Sequence, residues 1–592
     1  MTGQWRGIVS VSFVEGPEGL GRWVPGLALL RHYRGDALRS DIVAGVVLAA
    51  LLVPQGMAYA ELAGVSPVTG VYATLVPLVV YFLLGPSRIL VLGPDSAVSP
   101  LVAAAIIPLA AAGDASARIA LAGLLAVLVG AIMLAGGLAR FAFVTELLSM
   151  PVRLGYLMGI AVTVIVAQLP KLFGFSVDAE SFIPGVRDFV TGLDETNATT
   201  LAIGVASLAL ILGQRRVAPK VPGVFLAVVG ATAVVAALGL ADQVAVVGAV
   251  PEGLPSFGMP DVSFEDFKTL IPAAVGIAFV AFTDTSVLSR SYAGRLGQEV
   301  DQNQELAVLG VANIATGFFQ GFPLSTSSSR TAVVEDIGAR SQFAGLAGAG
   351  ILALLLIFGT GLVRDLPQST LAAIVIVAVL GFIDVVAARR LRQWRRSEFN
   401  LAMVAFTGVA VLGVLWGVGI AIALSLLNFI RRAWRPHDAV LGRVDDLKGY
   451  HDIERYPEAR RIPGLVLYRF DAPLFFANAD YFRERVRAVA RSGDAAWIVV
   501  AAEPITDIDA TAGETLRGLK DELNAADIEL AFAELKDPVR DRLRSYGIHD
   551  VIGGHRFFPT VGVAVAAYLH DTGVDWLDWE DRQSGHQARP GH

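Results

Sequence analysis

The chain has 592 residues, of which 54% are hydrophobic and 17% are charged, and its mean hydropathy is +0.59. These values exclude a soluble globular protein over most of the length. The absence of cysteine excludes disulfides, thiol catalysis and cysteine-based metal sites. The sequence contains no basic tract of the kind that binds nucleic acid. It also contains no Walker A motif, which argues against an ATP-driven pump.

Apolar runs recur through the first 435 residues, and they have the length a helix needs to cross about 30 Å of hydrocarbon. We predict about fourteen spans in the lipid bilayer, at residues 41–62, 68–84, 94–108, 117–138, 145–170, 198–214, 222–240, 266–290, 304–320, 323–337, 343–362, 368–387, 398–414 and 416–430. The sequence therefore predicts a polytopic α-helical membrane domain at residues 41–435, preceded by a cytoplasmic segment at residues 1–40.

The loops between the predicted spans differ in charge. Basic residues cluster before span 1 and after spans 6, 8, 12 and 14, and the densest cluster occupies residues 389–396. With an even number of spans, all of these clusters lie on the same side of the membrane. The positive-inside rule then places the N- and C-termini in the cytoplasm.

Spans 3 and 10 are short and interrupted by glycine and proline. Span 3 lies in GPSRILVLGPDSAVSPLVAAA (residues 85–105), and span 10 lies in GFPLSTSSSRTAV (residues 321–333). They are the third span in each set of seven. Broken segments at matching positions in two halves indicate an inverted-repeat transporter and mark its binding site.

The polarity of span 10 is explained by anion binding. A half-helix that begins inside the membrane carries unpaired N–H groups and about half a positive charge at its start, and two such ends make an anion site. Ser327, Ser328 and Ser329 add hydroxyl donors, and Arg330 adds a cation that is too costly to expose to lipid. Tight helix packing is the alternative for a single serine. Seven consecutive polar residues, from Ser325 to Thr331, favour a site.

Further polar residues lie inside other predicted spans. Asp284 lies about midway along span 8, where an isolated acid indicates function. Its carboxyl could carry a proton in step with an anion; cation binding and pairing with Arg330 are the alternatives. Asp95, in the turn of span 3, is expected to cap a helix. Gln55 and Tyr59 lie one turn apart on span 1 and share a face.

From residue 436 onward the pattern changes to alternating strands and helices. GLVLYRF, AAWIVVAAE and IELAFAEL have the composition of buried strands, and ADYFRERVRAVARSG and TAGETLRGLKDELNAAD that of amphipathic helices. The alternation predicts a small cytoplasmic α/β domain at residues 436–577. The polar tail at residues 578–592 is expected to be disordered.

Three stretches of the predicted membrane domain resemble a known family. DIVAGVVLAALLVPQGMAYAELAGVSPVTGVYATLVP (residues 41–77) resembles the first signature of the sulfate permease family, and spans 3 and 10 resemble the corresponding spans of that family. The resemblance implies seven-plus-seven inverted repeats, with a core of spans 1–4 and 8–11 and a gate of spans 5–7 and 12–14. It also implies an elevator-like motion and a homodimer.

The resemblance also implies roles for individual residues. By motif position, the anion site comprises Gln55, Tyr59, Ser96, Ala97, Ser328, Ser329 and Arg330. Asp284 matches the coupling acid of bacterial and plant members. Sodium-coupled members carry a threonine four residues later, whereas this chain has Leu288, which favours protons over sodium.

The C-terminal domain resembles the STAS domain through DIDATAGETLRGLKDELNAADIELAFAELKDPVRDRLRSYGI (residues 507–548). In related phosphoproteins a serine or threonine follows the loop aspartate. Here Ala510 follows Asp509, so that phosphosite is missing, and Thr511 is expected to cap the next helix.

Together these features predict a bacterial inner-membrane transporter, without enzymatic activity or a cofactor. We expect it to import sulfate or a similar small oxyanion with protons. Transport of bicarbonate or a C4-dicarboxylate remains an alternative, and so does an uncoupled anion channel.

Overall fold

The computed structural model describes residues 24–31, 33, 35–111, 114–143, 149–177, 182–217, 223–297, 299–491 and 495–579. Residues 1–23 of the predicted N-terminal segment and residues 580–592 of the predicted tail lie outside this set. The chain divides into two compact units, and the boundary between them falls after Ser425.

The first unit is helical apart from two very short strands. Its helices are Pro25–Arg31 (α1), Gly35–Leu62 (α2), Pro67–Leu84 (α3), Ser99–Ile106 (α4), Ala115–Leu138 (α5), Met150–Phe173 (α6), Phe182–Thr191 (α7), Ala198–Val217 (α8), Gly223–Leu238 (α9), Phe264–Leu296 (α10), Gln302–Phe318 (α11), Ser328–Asp336 (α12), Phe343–Phe358 (α13), Gln368–Leu380 (α14), Val385–Trp394 (α15), Arg396–Leu412 (α16) and Val414–Trp434 (α17). The strands are Leu92–Gly93 (β1) and Ser325–Thr326 (β2). Helix α17 crosses the boundary between the two units.

Each of the fourteen predicted spans corresponds to one helix, namely α2–α6, α8–α14, α16 and α17. The largest difference in bounds is at α14, which was predicted to end at residue 387 and ends at Leu380. Among the described residues, six stretches are long and apolar enough to cross a membrane by themselves. The shorter helices, such as α4 and α12, need neighbouring helices to satisfy the backbone groups at their ends.

The helices form two groups that pack mainly within themselves. The core group comprises α2–α5 and α10–α13, with α5 packed along α11 and α2 along α13. Small residues permit this contact, since a Cβ on Gly130 would lie 2.5 Å from the Gly310 carbonyl oxygen. The gate group comprises α6, α8, α9, α14 and α16, with α6 packed against α14 and α16. Helix α17 joins this group through Ala421, which is buried with Val152 of α6 and Ala405 of α16. These groups match the predicted core and gate spans.

The two broken spans meet in the core group. Leu92 pairs with Thr326 and Gly93 with Ser325 in an antiparallel ladder. This short ladder satisfies backbone groups that would otherwise be unpaired inside a membrane. Helix α4 begins six residues after β1, and α12 begins two residues after β2. The predicted half-helices therefore start from a shared strand pair.

The second unit is an α/β domain built on one six-stranded sheet. The strands are Asp438–Arg443 (β3), Tyr450–Asp452 (β4), Leu465–Phe470 (β5), Trp497–Ala501 (β6), Glu529–Ala533 (β7) and Phe557–Phe558 (β8). Their order in the sheet is β4-β3-β5-β6-β7-β8. The helices are Ala479–Arg491 (α18), Ala510–Asn524 (α19), Asp537–Ser545 (α20), Ile548–Ile552 (α21) and Val561–Thr572 (α22). Strands β5–β8 are parallel, whereas β3 and β4 pair antiparallel at one edge.

The strands and helices predicted for this domain are confirmed, but one predicted cap is wrong. Asp509, rather than Thr511, caps α19, because its Oδ1 accepts the N–H of Ala512 at 2.8 Å. Its Oδ2 accepts the N–H of Phe476 at 2.8 Å. An aspartate with both oxygens bonded to backbone donors outcompetes a threonine two residues later.

Candidate anion-binding site

Arg330 is the largest fully buried side chain near the broken spans, with a relative exposure of 0%. It lies in the first turn of α12, and its Nη2 donates to the carbonyl oxygen of Pro94 at 2.6 Å. Its Nε and Nη1 atoms have no hydrogen-bond partner among the residues that the structure describes. A buried guanidinium with two free donors is strongly unfavourable unless an acceptor joins it. This geometry suits a bound anion.

The strand pair holds Arg330 in place. The Ser327 N–H donates to the Val91 carbonyl oxygen at 3.1 Å, and the Val91 N–H donates to Thr331 Oγ1 at 3.2 Å. The contact between the two segments therefore continues past β2 into the start of α12. As a result, the guanidinium reaches the turn between β1 and α4.

Two buried amide side chains fix the loops that lead into the strands. Asn313 in α11 brackets Leu324, accepting its N–H at 2.9 Å and donating to its carbonyl oxygen at 3.3 Å. Gln342, just before α13, donates to the carbonyl oxygens of Ser87 and Leu90 at 2.9 and 3.0 Å. Neither residue was predicted. The only sequence signal for Asn313 is an isolated amide in an apolar span.

Tyr59 and Ser96 lie together beside Arg330. The Tyr59 side chain lies beside that of Ser96 and within electrostatic range of Asp95 and Arg330. Both Tyr59 and Ser96 are buried. Gln55 is half-buried, and its Oε1 has no partner in the described part of the chain. Tyr59 and Ser96 therefore bring hydroxyl groups beside Arg330, and Gln55 lies one turn before Tyr59 on α2.

Asp95 caps the turn before α4 rather than the helix itself. Its Oδ2 accepts the N–H of Ala97 at 3.0 Å, and its backbone oxygen accepts bonds from the N–H and hydroxyl of Ser99. The Ala97 donor is therefore already occupied. Ala97 is fully buried next to Ser96.

The polar run of span 10 divides into two parts. Ser325 and Thr326 form β2 and are buried, and the Thr326 hydroxyl lies 3.2 Å from that of Thr285 in α10. Ser327 is also buried, and its hydroxyl lies 3.2 Å from that of Ser329. Ser328 and Ser329 are exposed. The first part holds the segment in place, and the second consists of exposed hydroxyl groups.

Asp284 lies in α10, next to Thr285, and its side chain is 16% exposed. Its Oδ1 accepts a hydrogen bond from Nη2 of Arg153 in α6 at 3.0 Å, so the structure pairs it with Arg153 and not with Arg330. Tyr156 lies one turn along α6, and its buried hydroxyl has no partner in the described ranges. Arg153 was not predicted, although it is the only arginine in span 5.

Family models match both units. The sulfate permease family model matches residues 38–405, and the STAS domain model matches residues 456–564. A Mycobacterium tuberculosis protein named "Probable sulfate transporter" is 44% identical over 549 residues, covering 92% of this chain and 98% of that protein. The chloroplastic sulfate transporter 4.1 of Arabidopsis thaliana is 32% identical over 568 residues, covering 93% of this chain and 82% of that protein.

Solved structures show the same fold. The murine anion transporter solute carrier 26 family member A9 superposes with a TM-score of 0.86 at 23% identity, covering 94% of this chain and 96% of that one. The transmembrane domain of a cyanobacterial bicarbonate transporter superposes with a TM-score of 0.56 at 18% identity, covering 67% of this chain and 97% of that one. The chain therefore belongs to the sulfate permease family, as a bacterial multi-pass anion transporter with a C-terminal STAS domain and not an enzyme.

Proposed function

We propose that the protein imports sulfate, or a similar small oxyanion, together with protons. The observation that carries this proposal is Arg330, a fully buried cation whose Nε and Nη1 atoms have no acceptor in the residues described. Its position where the two half-helices start adds the positive ends of α4 and α12. An anion bound there would accept hydrogen bonds that the protein leaves unmade.

The chemistry of the surrounding groups supports sulfate. Sulfate is a dianion that only accepts hydrogen bonds, and Arg330, Tyr59, Ser96 and Ser329 can all donate them. Charge-assisted bonds of this kind are about twice as strong as neutral ones. The relatives named as sulfate transporters agree with this choice.

Bicarbonate is the second candidate, and one atom favours it. The buried Oε1 of Gln55 is an acceptor without a donor among the described residues. Bicarbonate carries an O–H group that could donate to this oxygen, whereas sulfate at neutral pH has none. Competition by bicarbonate in sulfate uptake distinguishes the two candidates.

We propose that Asp284 takes the coupling proton. It belongs to the core group, so a proton on its carboxyl would travel with the anion when that group slides along the gate group. The added proton would offset one negative charge of the substrate in a region of low dielectric. Leu288, one turn further, has no oxygen with which to bind sodium.

The proposed function also includes a membrane location, an orientation and an oligomeric state. We place the protein in the inner membrane with both termini in the cytoplasm, because the basic loops follow the positive-inside rule. We also propose a homodimer, as the family resemblance implies.

Uptake of radiolabelled sulfate into proteoliposomes tests this function. Wild type and Asp284→Asn are compared in sodium-free buffer, with and without an inward proton gradient. We expect gradient-driven uptake in the wild type and its loss in the variant. No uptake by a folded wild type would refute sulfate as the substrate. Anion current that is indifferent to Asp284→Asn would indicate an uncoupled channel.

A further inference from the structure

Two ion pairs connect the core and gate groups through one helix. The sequence of α6 contains two charged residues, Arg153 near its start and Lys171 near its end. Arg153 Nη2 lies 3.0 Å from Asp284 Oδ1, and Lys171 Nζ lies 3.0 Å from Glu61 Oε2. Both acids belong to the core group, in α10 and α2. At 1.5 Å per residue, the two attachments are about 27 Å apart.

These pairs hold the two groups in one relative position. The Glu61 side chain is only 9% exposed, and its Oε1 has no partner in the ranges described. Breaking such a pair by removing one partner leaves a buried charge without compensation. Because both cations belong to one helix, sliding of the core group along α6 must break both pairs.

The charged and titratable groups around Asp284 differ in their effect on its proton. Arg153 opposes protonation, because a nearby cation stabilises the carboxylate. Asp95, which precedes α4, lies within electrostatic range of Asp284. Tyr156 in α6 lies within electrostatic range of Asp284, Arg153 and Asp95, but it is uncharged at neutral pH. Arg153 is therefore the group that can most strongly link the charge of Asp284 to the gate group.

We propose that Arg153 is the positioning residue that converts protonation of Asp284 into release of the core group from α6. This inference rests on the proposed function, in which Asp284 takes the coupling proton. One proton from water forms an O–H bond on the carboxylate, and the negative charge that held Arg153 is lost. The ion pair then becomes a weaker hydrogen bond to a neutral acid. Lys171 and Glu61 hold the other end without taking part in proton uptake.

The test uses the full chain and two readouts across a series of pH values. The first is sulfate uptake into proteoliposomes. The second is the rate at which a water-soluble thiol reagent labels Ser328→Cys, an exposed position in a chain without native cysteine. Each is measured for the wild-type background, Arg153→Gln and Arg153→Lys. Lys171→Gln is the matched control, because it removes the corresponding pair at the opposite end of α6.

We expect Arg153→Gln to shift the midpoint of the pH dependence of both uptake and labelling to higher pH, by about one to three pH units. The reason is that no cation then stabilises the Asp284 carboxylate against protonation. Arg153→Lys keeps the charge and should return the midpoint toward the wild-type value. Lys171→Gln should leave it in place. Comparing variants at the same reporter cysteine cancels the pH dependence of the thiol itself.

An unchanged midpoint in folded Arg153→Gln would overturn the inference, and so would an equal shift in Lys171→Gln. If Arg153→Gln does not fold, the double variant Arg153→Gln with Asp284→Asn removes both charges. That variant should then label Ser328→Cys at the same rate as Asp284→Asn alone at each pH, and a different pH dependence of labelling would count against the inference. A protein that takes up no sulfate, yet shows the labelling shift, would refute the substrate and support the role of Arg153.

Discussion

Gly93 lies directly against the guanidinium of Arg330. A Cβ built on Gly93 would lie 2.9 Å from Nη1 of Arg330, and the φ angle of Gly93 is +152°, a conformation that side chains rarely adopt. The buried guanidinium and the backbone of β1 therefore occupy adjoining space. Arg330 can occupy its observed position only because residue 93 has no side chain.

Gly93→Ala is expected to impair transport. The added methyl group must displace the guanidinium and strain the backbone by about 1–3 kcal/mol, which predicts a loss of sulfate uptake of about 5- to 150-fold. The matched control is Gly350→Ala in α13, where no atom lies within 4 Å of the added Cβ. Uptake is measured beside thermal unfolding for both variants. Normal uptake by Gly93→Ala would show that Arg330 does not need its observed position.

Arg330→Lys separates the contribution of the positive charge from that of the planar guanidinium geometry. Lysine keeps the positive charge but loses the planar arrangement of donors, and it cannot both bond to Pro94 and offer two further nitrogens to an anion. Losing a charge-assisted hydrogen bond costs about 1.5–3 kcal/mol, so the sulfate concentration for half-maximal uptake should rise about 10- to 100-fold. Concentration-dependent uptake measures this value. An unchanged value would place the anion elsewhere.

The two broken spans followed from local sequence, whereas the strand pair between them and the ion pairs did not. Glycine and proline at residues 93–94 and 321–323 end one segment and permit another to start, so periodicity and turn chemistry suffice to predict two broken spans. The partner of Asp284 depends instead on how α10 packs near α6. Hydropathy contains no information on that packing, and Arg330 was considered as its partner while Arg153 was not.

Asn313 was missed for the same physical reason. An isolated amide in an apolar span can face a neighbouring helix or a loop, and only the fold shows that it brackets Leu324. By contrast, the alternation of strands and helices after residue 436 was sufficient to predict the α/β domain. Thr511 shows the limit of such local rules, since it was predicted as the cap and Asp509 is the residue bonded to Ala512.

Asn313→Ala is expected to destabilise the membrane unit. The change leaves the N–H and carbonyl of Leu324 without their amide partner in a buried place, at a cost of about 1–3 kcal/mol for each unsatisfied group. The melting temperature of the purified protein should fall, and sulfate uptake should fall with it because β2 loses its support. Ser116→Ala, which removes an exposed hydroxyl bonded to Asp114, is the control. A melting temperature equal to that of the control would contradict this role.

The second unit should lose stability in strongly alkaline solution. Tyr468 in β5 donates to Oδ2 of Asp438 at 3.1 Å. Burial raises the pKa of Tyr468 well above its usual range, and the negative charge of Asp438 raises it further. Because the unfolded tyrosine ionises near pH ~10, this stabilising contribution is complete below that pH and decreases above it.

The measurement is the protease resistance of the C-terminal unit in the purified full-length protein, at about pH 9 and about pH 11, on either side of the tyrosine pKa. Tyr468→Phe cannot ionise at this position, so its resistance should change less between the two values. An equal change in both proteins would assign the alkaline sensitivity to other groups.

Ser328 offers a direct test of where the anion binds. The chain has no native cysteine, so Ser328→Cys is the only thiol in that variant. Because Ser328 is exposed and lies two residues before Arg330, a water-soluble thiol reagent should label it, and bound sulfate should slow the labelling. Ser325→Cys is the matched control, since Ser325 is fully buried in β2 and should react poorly with or without sulfate. Chloride at equal ionic strength should protect less than sulfate, because it lacks the oxygens that accept from several donors at once. Labelling that sulfate leaves unchanged would separate the exposed serines from the anion site and restrict that site to Arg330, Tyr59 and Ser96.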